Sequence, residues 1–207
     1  LANYVTHRRV IIDLLQKTIG LLDAGKYARE EMIHELIMPM QKDSSEVFLD
    51  SCNLWLIDER LALHNYLASD KTINAMPISD SASGKEPDFL SLKVFDNPIL
   101  VNDQTNFPLV SITVVELKRP MRNDMKEGED KDPIEQALGY VERIREGQVK
   151  TKDGFLMPRN DHIPAYCYIV CDLTPTMIKR CKNFSLTMTA DGMGYFGYNP
   201  NYKSYIE

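Results

Sequence analysis

The run Leu109-Val110-Ser111-Ile112-Thr113-Val114-Val115-Glu116-Leu117-Lys118 decides how this chain folds. It is rich in β-branched residues and apolar on both faces, the pattern of a buried central strand rather than a solvated edge. Side chains two apart in an extended chain leave from the same face. Ile112, Val114, Glu116 and Lys118 therefore share one, with an acid and a base side by side at the strand end. Burying those two costs stability unless something pairs with them. A divalent metal with a nucleic-acid phosphate is one answer, and a plain ion pair is the other.

Downstream of this strand, Arg119 to Lys131 carries charges of both signs and few apolar residues, which predicts a mobile loop at the same end of the sheet as Lys118. A helix follows, to about Glu146. Asp132 suits its N-cap, Pro133 its first turn, and Glu135 completes a capping box. Ile134, Ala137, Leu138, Val141 and Ile144 form its core stripe. Gln136, Tyr140 and Arg143 form a second, polar stripe that suggests a partner. Gln148 to Asp161 reads as a polar connection, Ile163 to Cys171 as a buried strand and Thr174 to Asn183 as a helix. The last stretch, 184–207, is rich in Gly and Tyr and predicts short strands and turns.

Upstream, a strand runs from Pro87-Asp88 through Phe95, and 97–108 predicts a hairpin or long turn into the central strand. Ser79 to Lys85 is a loop of small polar residues. Three helices precede it. Residues 5–23 place Val10, Ile11, Leu14, Leu15, Ile19 and Leu22 at helical spacing, with the basic run His7-Arg8-Arg9 on the first turn reading as a solvated face. Lys26 to Met38 should stop before Pro39. On it Glu31, His34 and Glu35 suit either a metal site or a surface ion-pair face. Leu54 to Ala68 is the third predicted helix, with Asp58 and Glu59 as surface acids. Strand and helix alternate, so the fold class is α/β: a central mixed sheet flanked by helices. The expected division is a helical lead-in over 1–75 and a sheet core over 76–207.

The composition of the 207 residues, 43% hydrophobic and 26% charged, supports one substantial core. A net charge of −6 argues against a broadly basic nucleic-acid surface, so such binding would rest on local patches or bound metal. The apolar runs are short of a membrane span and no signal peptide is evident, which makes the cytoplasm the default expectation. Cys52, Cys167, Cys171 and Cys181 have neither CxxC pairing nor dense spacing, and read as reduced structural thiols. The first residue is Leu and the chain stops at Tyr205-Ile206-Glu207 in an apparent strand, so a larger parent polypeptide is expected.

Several familiar motifs fail on their setting. Gly192-Met193-Gly194-Tyr195-Phe196-Gly197 has dinucleotide-binding spacing, but Asn199-Pro200-Asn201 follows where a helix is required, so it reads as a turn cluster. The four histidines include no HxH or HExxH, and neither GxSxG nor a Walker A loop occurs.

What lifts Glu116 and Lys118 above chance is an ordered set: Pro87-Asp88 on one strand, Glu116-Leu117-Lys118 on the next, then Gln136-x-x-x-Tyr140 on the following helix. In this the chain resembles the PD-(D/E)xK nuclease superfamily, in the branch carrying a Gln-x-x-x-Tyr helix, over residues 85–145. A longer set of segments also looks like the C-terminal region of large bacterial proteins bearing a histidine-kinase-like (GHKL) ATPase domain. These are Asn53 to Arg60, Val115 to Pro120, Asp132 to Gln136 and Gly192 to Gly197.

The resemblance implies a restriction-endonuclease-like core that hydrolyses phosphodiester bonds of DNA to 5′-phosphate and 3′-hydroxyl ends with Mg²⁺ or Mn²⁺. Asp88, Glu116 and the Leu117 carbonyl would be metal ligands, since hard ions prefer oxygen donors. Lys118 would orient the attacking water. Gln136 and Tyr140 would contact the nucleic-acid backbone or brace the acids, with Arg143 and Arg119 as further nucleic-acid contacts. The family usually adds an acid from an early helix, and Glu31 is the expected one, with Glu35 and Glu59 as rivals. The implied partners are DNA and the ATPase domain of the same parent chain, with a homodimer left open. A nuclease fold that binds without cutting, and a structural domain in which Glu116 and Lys118 form an ion pair, remain the alternatives.

Overall fold

The computed structural model describes residues 2–21, 25, 27–48, 52–64, 66–73, 85–94, 109–129, 131–146 and 162–207. The expected connections over 79–84, 97–108 and 148–161 lie outside the described residues. In chain order the elements are α1 (Ala2–Ile19), α2 (Glu30–Ile37), β1 (Lys42–Asp43), two 3₁₀ turns (Leu54–Leu56 and Glu59–Ala62), β2 (Tyr66–Ser69), β3 (Phe89–Val94), β4 (Leu109–Leu117), α3 (Pro133–Arg145), β5 (Ala165–Val170), α4 (Pro175–Asn183), β6 (Thr187–Met188), β7 (Tyr195–Asn199) and β8 (Ser204–Ile206).

Eight strands form one mixed sheet in the order β1-β2-β3-β4-β5-β8-β7-β6. β4 is its joint, antiparallel to β3 and parallel to β5. α3 makes the crossover between β4 and β5, as a parallel pair requires. Both faces of β4 are covered, as its sequence predicts. Ile112 and Val114 pack with Ile134, Leu138 and Val141 of α3 on one side. On the other, Val115 and Leu117 pack with Ile33 and Ile37 of α2 and with Leu54 and Leu61.

Local signals account for the helix starts. Asp132 caps α3 by accepting from the amides of Ile134 and Glu135, and Pro133 occupies the first turn. The capping box does not close. Glu135 turns outward instead, accepting from the Gly128 amide at 3.0 Å and pairing with Arg180 at 2.5 Å. Gly192, at φ +71°, sits in the turn before β7, so the Gly-rich run is a turn entering a strand. All four cysteines are free thiols.

Three expectations are corrected. The predicted helix over Leu54 to Ala68 is two short 3₁₀ turns followed by β2. Asp58 ends any continuous helix by accepting from the Arg60 amide, and Tyr66 to Ser69 pair in full with β3, so strand pairing overrides the local helical pattern. Asp58 is no idle surface acid: it accepts from the Tyr168 hydroxyl at 2.7 Å, and the Arg60 guanidinium holds its carboxyl down at about 2. Because β1 and β2 belong to the sheet, the lead-in over 1–75 is not only helical. The third correction concerns Arg119 to Lys131, which is anchored on α4. The Met121 amide donates to Asp172, Thr174 donates to the Arg122 carbonyl, Asn123 accepts from Thr176, and Met125 is buried.

α1 contrasts with its prediction as packing. Only Ile11 is buried, while Val10, Leu14 and Ile19 are exposed. Among the described residues no helix is long and apolar enough to cross a membrane.

Candidate active site at the ends of β3 and β4

Strand register builds the centre of the site. Phe89 faces Val115 across the β3–β4 ladder, so one step further Asp88 stands opposite Glu116 on the face toward α3. Asp88 Oδ2 accepts from the Leu117 amide at 2.6 Å, which ties the start of β3 to the end of β4. Lys118 Nζ donates to Glu116 Oε2 at 3.0 Å. Glu116 is 1% exposed, and its second oxygen, Oε1, is buried with no hydrogen-bond partner.

Electrostatics follow from this burial. Removal from water pushes the Glu116 carboxyl up to about 8, with the Asp88 charge adding to the shift and Lys118 opposing it. Burial likewise raises Asp88 to about 6, against the pull of Lys118 and the Leu117 amide. For Lys118 burial works against the charge, but Glu116, Asp88 and Glu30 more than offset it, and the ammonium is held above its ordinary value. One cation thus serves three carboxylates.

The third carboxylate is Glu30, in the first turn of α2. Its Oε1 lies 3.8 Å from Lys118 Nζ and its Oε2 accepts from the Arg119 amide at 2.9 Å. The expected acid, Glu31, points elsewhere: its side chain is 62% exposed and its nearest cation is Arg29 at 4.0 Å. Glu35 is exposed, and Glu59 pairs with Arg8 at 2.7 Å. A one-residue turn of a helix rotates a side chain by about 100°, so neighbouring glutamates cannot both face the strand end. His34, read as an alternative metal-site or surface residue, is buried. Its Nε2 is 2.7 Å from Ser69 Oγ, its Nδ1 is 3.7 Å from Asp88 Oδ1, and burial lowers its pKa to about 4.

The α3 stripe braces the site. Gln136 Nε2 donates to the Tyr140 hydroxyl at 3.3 Å, and that hydroxyl donates to the Glu86 carbonyl at 2.7 Å, two residues before Asp88. Tyr140 is buried, and burial with the Glu116 charge raises its pKa. Arg143 pairs with Glu129 at 2.6 Å and lies 5.9 Å over the Tyr140 ring. Arg119 is exposed beside the site.

Among the described residues no group of three or more His, Cys, Asp or Glu side chains converges to hold a metal on its own. Asp88 and Glu116 nevertheless fit a hard divalent ion completed by backbone carbonyl and water, because the buried Glu116 Oε1 has no partner in the protein and a bound cation would favour the ionised carboxylate over the protonated one. Comparison with protein-family models, curated proteins and solved structures finds no match for the chain.

Proposed function

We propose that this chain is a metal-dependent nuclease domain of the PD-(D/E)xK type acting on the phosphodiester bonds of DNA, working within a larger bacterial ATPase-linked protein. The observation that carries the reading is the unpartnered Glu116 Oε1, buried beside Asp88 and within the reach of Lys118. A buried carboxylate oxygen without a partner is costly in a purely structural role and useful in one where a cation is recruited.

In this reading Asp88 and Glu116 hold Mg²⁺ or Mn²⁺ together with the Leu117 carbonyl. The ion, when bound, supplies Lewis acidity toward the phosphate and a water acidified for attack. Lys118 keeps its proton, orients the attacking water by donation and offsets the charge that develops on the phosphate oxygens. Glu30 holds Lys118 and the Arg119 backbone in place. Gln136 and Tyr140 act on the site as a brace through the Glu86 carbonyl, and Arg119 is the exposed cation nearest the acids. Arg143, engaged with Glu129, serves the same brace.

A structural reading has one observation in its favour: Lys118 already closes on Glu116 with a side chain only 6% exposed. A single experiment separates the two. Plasmid and single-stranded DNA are incubated with Mn²⁺ or Mg²⁺ and wild-type protein, Lys118→Ala, or wild type plus EDTA, while titration calorimetry follows Mn²⁺ binding. Metal-dependent cutting lost in Lys118→Ala supports the nuclease. Absence of any Mn²⁺ binding that depends on Asp88 and Glu116 overturns it and leaves the ion pair.

A further inference from the structure

The sheet has a second chemistry-bearing surface, on the opposite face from Glu116. α2 and the 3₁₀ turns cover that face over Leu67, Phe89, Val115 and Leu117. One step further along the strands, register places Ser91, Thr113, Tyr166, Tyr205 and Tyr198 in a single row across β3, β4, β5, β8 and β7. At the usual strand spacing this row is about 19 Å long.

Its aromatic half is open. Tyr198 and Tyr205 are each 51% exposed, as is half of Phe196, which lies two residues along β7 on the same face. The Tyr166 and Tyr205 rings stack with centroids 5.3 Å apart and planes 12° from parallel, and Tyr198 leans on Tyr205 at 5.0 Å. Its other half is a groove of about 250 Å³, floored by the hydroxyls of Ser111 and Thr113 and flanked by Arg60 and Lys93. A second hollow of about 170 Å³ continues it over Tyr166, Tyr205 and Phe196. Asp58, the acid in this groove, is neutralised by Arg60 and the Tyr168 hydroxyl. Lys93 has no ion-pair partner among the described residues. Lys93 is therefore the one cation left over in this groove, and Glu207 lines the adjoining hollow.

Stacked phenol rings beside a lysine ammonium and small hydroxyls match a ligand made of flat π faces linked by phosphates. An apolar protein partner would not call for the hydroxyl floor or the lysine, and a duplex hides its base faces from the rings. We infer that this face of the sheet binds single-stranded nucleic acid, with bases on Tyr198 and Tyr205 and phosphate toward Lys93. The row lies roughly 10 Å along β4 from Glu116 and on the other side of the sheet, so it holds nucleotides other than the scissile ones. This names the form of substrate for the nuclease reading, and rests on that reading only for cleavage.

The test is fluorescence anisotropy of fluorescein-labelled (dT)₂₀, (rU)₂₀ and a matched 20-base-pair duplex, with EDTA present so that nothing is cut. Wild type should bind the single strands at least about 10-fold more tightly than the duplex. Tyr198→Ala and Tyr205→Ala should each weaken that binding about 10-fold, and Tyr205→Phe should keep most of it. Lys93→Ala should reduce the salt dependence by about one phosphate contact. The exposed tyrosines leave the fold intact, which circular dichroism checks. Preference between (dT)₂₀ and (rU)₂₀ tells DNA from RNA. Equal affinity of wild type and both alanine variants, or tighter binding of the duplex, overturns the proposal. Tyrosine-dependent binding with no cleavage by Mn²⁺-loaded wild type keeps the surface and removes the nuclease reading. Cleavage of single strands that is indifferent to both tyrosines does the reverse.

Discussion

Two buried clusters, each of carboxylates around one cation, stand at the two ends of the segment joining β4 to α3, and they are finished differently. At the start of α3, Asp132 is fully buried and both of its oxygens are used: Oδ1 accepts from the Ile134 and Glu135 amides and Oδ2 from Arg180. At the end of β4, Glu116 is buried to the same degree and one of its oxygens is left without a partner. The first cluster satisfies itself and holds α3 to α4. The second leaves Glu116 Oε1 without a hydrogen-bond partner in the protein, the difference on which the proposed cation site rests.

Arg180 is the residue on which the Asp132 cluster depends most. Arg180→Ala leaves Asp132 buried without its cation and should cost about 3–5 kcal/mol in urea denaturation. A loss below about 1 kcal/mol would mean that the Asp132 cluster is no more self-sufficient than the Glu116 one.

The next effect is on pH. A carboxyl raised from 4.5 to about 8 on folding holds its proton in the native state after the unfolded chain has lost it, so the metal-free protein loses stability as pH rises through that interval. Below pH 6.5, His34, lowered to about 4, contributes the opposite slope, and Asp88, raised to about 6, adds to the loss. Between pH 6.5 and 8 Glu116 is the group of this site still titrating. There the metal-free protein should lose stability by up to about 1.4 kcal/mol per pH unit. Glu116→Gln should flatten the curve, and Mn²⁺ should restore stability to wild type at pH 8 by binding the folded form. A wild-type curve already flat from pH 6.5 to 8 would show Glu116 to be charged and satisfied.

Tyr140→Phe removes the hydrogen bond to the Glu86 carbonyl and should cost about 1 kcal/mol of stability, with a larger relative loss of Mn²⁺ affinity as Asp88 loosens. Glu31→Ala should change neither stability nor cleavage measurably, whereas Glu30→Ala should lower cleavage; equal losses would return Glu31 to the site.

Much of this was legible in the chain. β-branched residues on both faces of 109–117 announced a buried strand, and Asp132-Pro133 announced the helix that follows. The order Asp88, Glu116, Lys118, Gln136, Tyr140 brought the central residues together, because two-residue strand periodicity fixes which side chains share a face. Other features depend on pairing across distance. Nothing local in Tyr66 to Ser69 says strand, since its partner β3 supplies the hydrogen bonds. Arg180 lies 48 residues from the Asp132 it neutralises. Glu30 and Glu31 are chemically identical, and only where α2 begins decides between them. The tyrosine row was visible merely as composition, because it assembles from three strands.

The position of β4 has a consequence for how the molecule comes apart. It is the sole strand among those described that joins the antiparallel β1–β3 flank to the β5–β8 flank, so either flank can fray while β4 stays paired with the other. Its amides are then the last to exchange with deuterium in native-state hydrogen exchange. Glu116 and the Leu117 backbone ride on the most durable part of the chain, and the acids keep their places through excursions that open either flank.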